Sequence, residues 1–385
     1  MNAGRGGATA FPPPSNASKS DQSFERPEKI AKTETESKAE EEVEAGVDSE
    51  TIEGTVTENP GMQRYLIAVE YIGTRFSGSQ KQPNCRTVVG VLEEAFVKFV
   101  GGPVSIFCSS RTDAGVHALS NVCHVDVERT SKRKPGEVLP PHEPSVVRRA
   151  VNHFLQKNEE DIMVVDVRCV PTDFHARYKA QERTYYYRLL SGSEPLSTFE
   201  KDRAWHVAQD LNLHAMQEAC KILAGHHDFS SFRAAGCQAK SPVRTLQELT
   251  VCETVSSLYF PSEMERKQMQ HRMAFLSPCS KRILNRSSFP CNDAGDSNIN
   301  GSTFEFGMRR RHCCFVVTAR ACSFLYHQVR LLVGVLKSVG TGDITISEVQ
   351  RILDAKNITA TSPMAPASGL YLGHVKYDLT QEVSD

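Results

Sequence analysis

The chain lacks the short signatures of several large function classes. Its 12 cysteines are scattered, none forms C-x-x-C, and His312-Cys313-Cys314 has no second pair of ligands, so a zinc site has no frame. Several cysteines sit inside apolar strand-like runs and read as buried thiols in a reducing compartment. No run of about eighteen apolar residues occurs, so no membrane-spanning helix is expected. A glycine-rich phosphate loop is absent too. The first 20 residues hold one arginine and no apolar centre, which makes a poor signal peptide. Acids from Asp21 onward argue against a long organellar presequence, and cytoplasm or nucleus is the expectation.

An excess of one charge sign is also missing, since the formal net charge is −1. That average hides an asymmetry. Residues 1–61 carry 13 acidic and 6 basic residues, which leaves 33 acidic and 39 basic in the rest. A mildly basic body with an acidic tail points toward a polyanionic partner such as nucleic acid. The 39% hydrophobic and 24% charged content fits a globular protein, and 385 residues suffice for two domains or one large one with a tail.

Residues 1–61 have a PPP run, many Ser and Thr and the cluster AEEEVEAG, with too few large apolar groups to offset ordering entropy; a disordered tail is expected there. YLIAVEYIG, over about Arg64 to Gly73, reads as a strand, and GTRFSGSQKQPN as a loop. Val88, Val91, Leu92, Ala95, Phe96 and Phe99 form one helical face that ends at Gly101-Gly102-Pro103. VSIFCSS and NVCHVDVE read as strands, Val147, Ala150, Val151 and Phe154 as a helix, and IMVVDVRCV and RTYYYRLL as strands. Leu211 to Leu223 is a predicted helix and VRTLQELTVCE a strand. Residues 254–312 lose the pattern and read as a flexible insertion. HCCFVVTARAC resumes a strand, Val329, Leu332, Val333, Leu336 and Val339 form an apolar helix, ISEVQRILDA a short one, and GLYLGHVKYD a last strand.

Close strand pairs and variable connectors favour α+β over a doubly wound parallel fold. The order strand–helix–strand followed by strand recurs in both halves, so two related halves are expected, with a mixed, mostly antiparallel sheet, helices packed on it and a central cleft. The expected divisions are a tail at 1–61, an N-terminal half at 62–190 with the Asp113 loop, a C-terminal half at 191–378 and a short tail at 379–385.

Four features carry chemistry. SSRTDAGVHA, at 109–118, holds Arg111 and Asp113 in a turn-forming stretch with no second acid beside them. A plain turn explains it. So would a metal site from Asp113 and His117, although Gly115 between them argues against a helix that would align the two. Tyr185 lies among tyrosines suited to strand packing, with Arg183 and Arg188 as possible phosphate contacts. Arg330 interrupts the most apolar helix; it either snorkels at the edge or is buried and needs an anion, an Asp being the natural partner. The runs Lys132-Arg133-Lys134 and Arg309-Arg310-Arg311 read as solvated loops or as contacts to nucleic acid.

Taken together these residues resemble the TruA family of tRNA pseudouridine synthases. SSRTDAGVHA is close to that family's G-R-T-D-A-G-V-H-A. YIGTRFSGSQKQP at 71–83, FHAR at 174–177, RTYYY at 183–187, HDFSSFR at 227–233, SPVRT at 241–245, FLYHQVR at 324–330 and APASGLYL at 365–372 match further blocks in the same order. The resemblance spans about residues 64–378. Ile72 stands where Asp is usual, Ser79 where Trp is usual, and Ser110 where the family has a smaller residue.

The resemblance implies that Asp113 is the catalytic carboxylate, acting as nucleophile, that Arg330 is its charge partner, and that Tyr185 stacks on the uracil. It further implies that Leu370 helps close the pocket and Arg111 helps flip the target base. The implied partner is tRNA, modified in the anticodon arm by a homodimer, without a metal or a small-molecule cofactor. Two other readings compete: a non-catalytic RNA-binding protein of the same fold, and a metal-dependent hydrolase.

Overall fold

The computed structural model describes residues 61–131, 133–134, 136–254 and 312–379. The expected tail apart from Gly61, the expected insertion apart from its two end residues, Lys132 and the run Arg309-Arg310-Arg311 lie outside the described residues.

The first half runs β1 (Met62–Tyr71), α1 (Val88–Val100), β2 (Ile106–Cys108), β3 (His117–Glu128), α2 (Pro144–Lys157) and β4 (Ile162–Val170). The α1 stripe is apolar as expected, Thr87 caps it through a bond from the Gly90 amide (3.2 Å), and Gly101 ends it at a φ of 87°. β1 pairs antiparallel with both β3 and β4, and β2 pairs antiparallel with β3.

The second half runs β5 (Glu182–Ser191), β6 (Trp205–Val207), α3 (Leu213–Leu223), β7 (Gly225–Asp228), β8 (Val243–Thr254), β9 (Cys313–Ala321), α4 (Gln328–Gly340), α5 (Ile346–Ala355) and β10 (Leu370–Lys376). β5 pairs antiparallel with β9 and β10, and β8 with β9. The two halves therefore repeat one order: fourth strand, first, third, second. β4-β1-β3-β2 in the first half corresponds to β10-β5-β9-β8 in the second.

One strand joins the halves. β10 lies between β5 and β3, antiparallel to the former and parallel to the latter, with Tyr371 opposite His117 and Leu372 opposite Ala118. The result is a single mixed, mostly antiparallel ten-stranded sheet. Among the described residues β10 is the last strand in chain order.

Each half has its own core. Tyr65, Leu92, Phe96, Val147 and Leu155 pack in the first, and Met216, Leu223, Phe229, Leu332 and Leu336 in the second. Tyr185 on β5 packs against both.

Three expectations need correction. β3 begins at His117, not Asn121, because its first turn of pairing is with β10, which no local pattern announces. The helix expected from Leu211 begins at Leu213, since Asn212 accepts a bond from the Ala215 amide (3.0 Å) and stops the helix extending backwards. β6 and β7 span three and four residues, too few for periodicity to reveal them. Cysteines also divide differently: Cys123, Cys220 and Cys314 are buried, whereas Cys85, Cys169, Cys252 and Cys322 are exposed.

Candidate active site

The loop between β2 and β3 carries Asp113. It is stapled at nearly every residue. Ser109 donates its amide to Val122 O (2.7 Å) and its hydroxyl to Asn121 (3.1 Å). Asn121 also donates to Ser110 O and to the Tyr71 hydroxyl, 3.2 Å each. The Tyr71 hydroxyl meets the Thr112 hydroxyl at 2.8 Å.

Ser79 closes the other side. Its hydroxyl accepts from the Thr112 amide (2.8 Å), and its own amide donates to Thr112 O (3.0 Å). Ser79 is fully buried, so this residue, unusual for the resemblance, makes a two-way clamp beside Asp113. Gly78 runs so close that a Cβ would meet Thr112 O at 3.0 Å, and its φ of 106° suits glycine alone. Gly115 has a φ of 80°, which lets the chain turn just after the carboxylate.

Asp113 meets the start of α4. Arg330 Nη1 donates to Asp113 Oδ2 at 3.3 Å, and His327 Nε2 lies 3.1 Å from the same oxygen. Arg330 is not at the helix edge: its side chain is 12% exposed, and its Nε donates to Ala365 O at 2.8 Å. Of the two alternatives left open for Arg330, burial against an anion is the one realised. Burial pushes the Asp113 carboxyl upward, but the hydrogen bond and charge of His327, then the charge and hydrogen bond of Arg330, outweigh it and hold the group below the ordinary carboxylate value. The N-terminal end of α4 favours a negative charge as well.

His327 sits at the N-cap of α4 with a φ of 61°, in the left-handed region that non-glycine residues rarely adopt. Tyr326 stacks on its ring, with centroids 3.7 Å apart. The strained backbone thus aims an imidazole at Asp113. His327 was not singled out from the sequence. Its signal was there in the block FLYHQVR, three residues before Arg330.

Tyr185, on the central strand β5, lies opposite Ala319 of β9 and Leu372 of β10. Its ring meets Phe324 edge-on at 5.1 Å. Burial, with a smaller push from Asp113, raises its hydroxyl to about 12 against the opposing effects of Arg183 and a hydrogen bond with Ser110. The phenol is therefore neutral across the physiological range.

The sequence model of a tRNA pseudouridine synthase family matches residues 67–179 and 219–378. "tRNA pseudouridine synthase A" of Rhodospirillum centenum is 37% identical over 316 residues, covering 82% of this chain and all of that protein. The chain belongs to the TruA family of tRNA pseudouridine synthases. The proteins of the same name from Parvibaculum lavamentivorans and Methylobacterium sp. (strain 4-46) are 35% and 36% identical, each over 82% of this chain and over 100% and 98% of their own lengths.

Within this TruA-family chain the remaining candidates take distinct places. Arg111 is exposed on the Asp113 loop. Leu370 is buried in the second core, opposite Tyr187 at the start of β10. His117 is buried too. Its Nδ1 accepts from the Gly73 amide (3.1 Å), and its Nε2 faces Asp202 O and Ser368 O at 3.0 and 3.2 Å. Both ring nitrogens are thus engaged by backbone, which removes His117 as a metal ligand to pair with Asp113.

Arg183 and Arg188 spend their donors within the protein. Arg183 donates to four carbonyl oxygens, of Ala180, Cys322, Ser109 and Arg177. Arg188 is buried in an ion pair with Glu200 (2.9 Å). Both are braces of the central strand. Their charges looked available in sequence because nothing local reveals which carbonyls or acids fold onto them.

Proposed function

We propose that this protein isomerises uridine to pseudouridine in tRNA, with Asp113 as its one catalytic carboxylate. The observation that carries the reading is the junction of Asp113 from one half with Arg330 and His327 from the other, beside Tyr185. The reaction breaks N1–C1′ of the uridine, forms C5–C1′, removes the proton from C5 and places one on N1. No atom is gained or lost, so the chain's own groups suffice for the balance.

Asp113 can attack C1′ or C6, or take a proton from C2′. Each route needs an ionised oxygen, and Arg330 and His327 hold the group ionised despite its partial burial. The fixed Nε bond of Arg330 to Ala365 O orients the guanidinium and hence the carboxylate. Tyr185 stacks against the base. As a neutral phenol it relays the C5 proton by giving one and accepting one, and does not act as a resident phenolate base.

The target base must leave its helix to reach the loop, and exposed Arg111 fills the space it vacates. Leu370 supports the pocket from the core side. Modification within the anticodon arm, by a homodimer, follows from the family resemblance and forms part of the same proposal.

The test is tritium release from tRNA carrying 5-tritiated uridine. Wild-type protein releases tritium with or without EDTA, and Asp113→Asn releases none while still binding tRNA. Absence of release from every cellular tRNA by wild-type protein overturns the proposal in favour of a binding protein; loss of release with EDTA favours a metal-dependent enzyme.

A further inference from the structure

Just before the Asp113 loop two aromatic rings of the sheet meet two from the connection between β4 and β5. Phe107 of β2 lies opposite His124 of β3, and its ring stacks on the imidazole with centroids 5.2 Å apart and planes at 17°. His175 meets His124 edge-on at 4.7 Å, and Tyr178 tilts over His175 at 4.3 Å. Ile106, the neighbour of Phe107, is in the first core, so Phe107 points from the opposite face of the sheet.

The two inner rings are anchored and the two outer rings are open. His124 Nδ1 accepts from the Ala176 amide (3.2 Å), and His175 Nδ1 from the Arg177 amide (3.1 Å). Each imidazole is thereby held in one orientation with an unprotonated nitrogen. Burial, then the charge of Arg64, push both histidines below their ordinary value, His124 to about 4. Both rings are therefore neutral at neutral pH; His124 is buried beneath the group and His175 is partly exposed. Phe107 is 53% exposed and Tyr178 68% exposed. Leaving such rings in water forgoes burial energy, and an exposed aromatic group with a polar rim marks a binding site. The rim is charged: the Arg177 guanidinium lies 5.9 Å from the Tyr178 ring centroid, and exposed Lys179 beside it pairs with exposed Asp173 at 3.7 Å, a surface pair that a phosphate can replace.

The group is tied to the catalytic loop. Arg183 donates to Ser109 O (3.2 Å), at the base of the Asp113 loop, and to Arg177 O (2.9 Å), between His175 and Tyr178. A single guanidinium therefore spans the loop that carries the carboxylate and the segment that carries the rings.

We propose that Phe107, His175 and Tyr178 form a stacking platform for one or two unpaired RNA nucleotides that flank the target uridine, with Arg177 and Lys179 meeting their phosphates. The proposal rests on RNA being the substrate class. Nucleobases suit this surface because every base has a π-face to stack, while the charged rim suits the connecting phosphates. Stacking tolerates any base, so the platform adds affinity more than sequence preference.

The test uses full-length protein and whole tRNA. Phe107→Ala and Tyr178→Ala each weaken tRNA binding by about 5- to 100-fold, and raise KM by more than they lower kcat. Tyr178→Phe, which keeps the ring, restores most of the affinity. tRNA substituted with 5-iodouridine crosslinks under light to peptides containing Phe107 or Tyr178 in wild-type protein. Binding within about twofold of wild type for both alanine variants, together with no crosslink at either ring, overturns the platform. So does a change confined to self-association in sedimentation, which would make the patch a contact between copies. Wild-type protein that crosslinks through these rings yet releases no tritium leaves the platform standing and sinks the isomerase reading; release of tritium with unaffected alanine variants does the reverse.

Discussion

The two halves share an order of strands but treat their second helices differently. Helix α2, in the first half, buries only Val147, Val151 and Leu155 and turns its other sides to solvent. Helix α4, its counterpart in the second half, is buried along nearly its whole length. A Cβ on Gly334 would lie 2.2 Å from Pro363 O, so the chain that leads to β10 presses directly on the helix backbone. The difference teaches what each half contributes. The first half supplies a carboxylate on a loop, which must be stapled by side chains. The second supplies His327 and Arg330 at the start of a helix that is buried along nearly its whole length.

The contrast can be broken at several points. The largest effect is expected at the carboxylate itself. Asp113→Asn lowers single-turnover tritium release by at least about 10,000-fold, with tRNA affinity kept. Next is the partner from the other half. Arg330→Met removes the buried charge that balances Asp113 and lowers kcat by roughly 100-fold or more, with Arg330→Lys between the two because a single ammonium cannot hold both Ala365 O and the carboxylate. A stopped-flow or quench assay at saturating tRNA separates them.

Gly334→Ala tests the enclosure of α4. The added methyl cannot fit against Pro363 O without moving the backbone, so the variant is destabilised by about 3 kcal/mol, read in urea unfolding. The equivalent insult to α2, a larger residue on its exposed side, changes stability by less than about 0.5 kcal/mol. Ser79→Ala tests the staples of the loop. It strands the buried Thr112 amide at a cost of about 1–2 kcal/mol and lowers kcat without changing tRNA affinity.

The smallest effect concerns pH. The Asp113 carboxyl is held below its ordinary value of 3.8, so the stabilisation from its ion pairs is present above that value and is lost as the pH falls through the lowered one. The acid limb of kcat/KM in wild type, which reports the free protein, therefore lies below the ordinary carboxylate range. His327→Gln removes the leading opposing influence and moves that limb upward, measurable as a rate loss of a few-fold near pH 4.

The legible parts of this molecule were those with a local pattern. The stripes of α1 and α4 appear as apolar spacing, and the strands over Met62–Tyr71, Ile162–Val170 and Cys313–Ala321 as apolar runs. Arg330 was conspicuous as a guanidinium inside an apolar helix, which either snorkels at the edge or, if buried, needs an anion. Asp113 stood out through the ordered blocks of the resemblance more than through its own turn, which any Asp-Ala-Gly would form. His327, by contrast, looked ordinary, and Ser79 stood out only as a departure from the resemblance; their importance lies in what they touch across long separations in sequence.

By itself, then, the sequence determined the composition of each half, the α+β class, the family, and the identities of an acid and a cation that needed partners. The tertiary structure alone decided how those needs are met. It set β10 between β3 and β5, brought Asp113 to both His327 and Arg330, and turned Arg183 and Arg188 inward onto carbonyls and Glu200. The reason is physical. Periodicity records which side of an element is buried, because burial acts on each residue separately. Pairing between strands and ion pairs between halves depend on the relative position of distant segments, and no single segment carries that information.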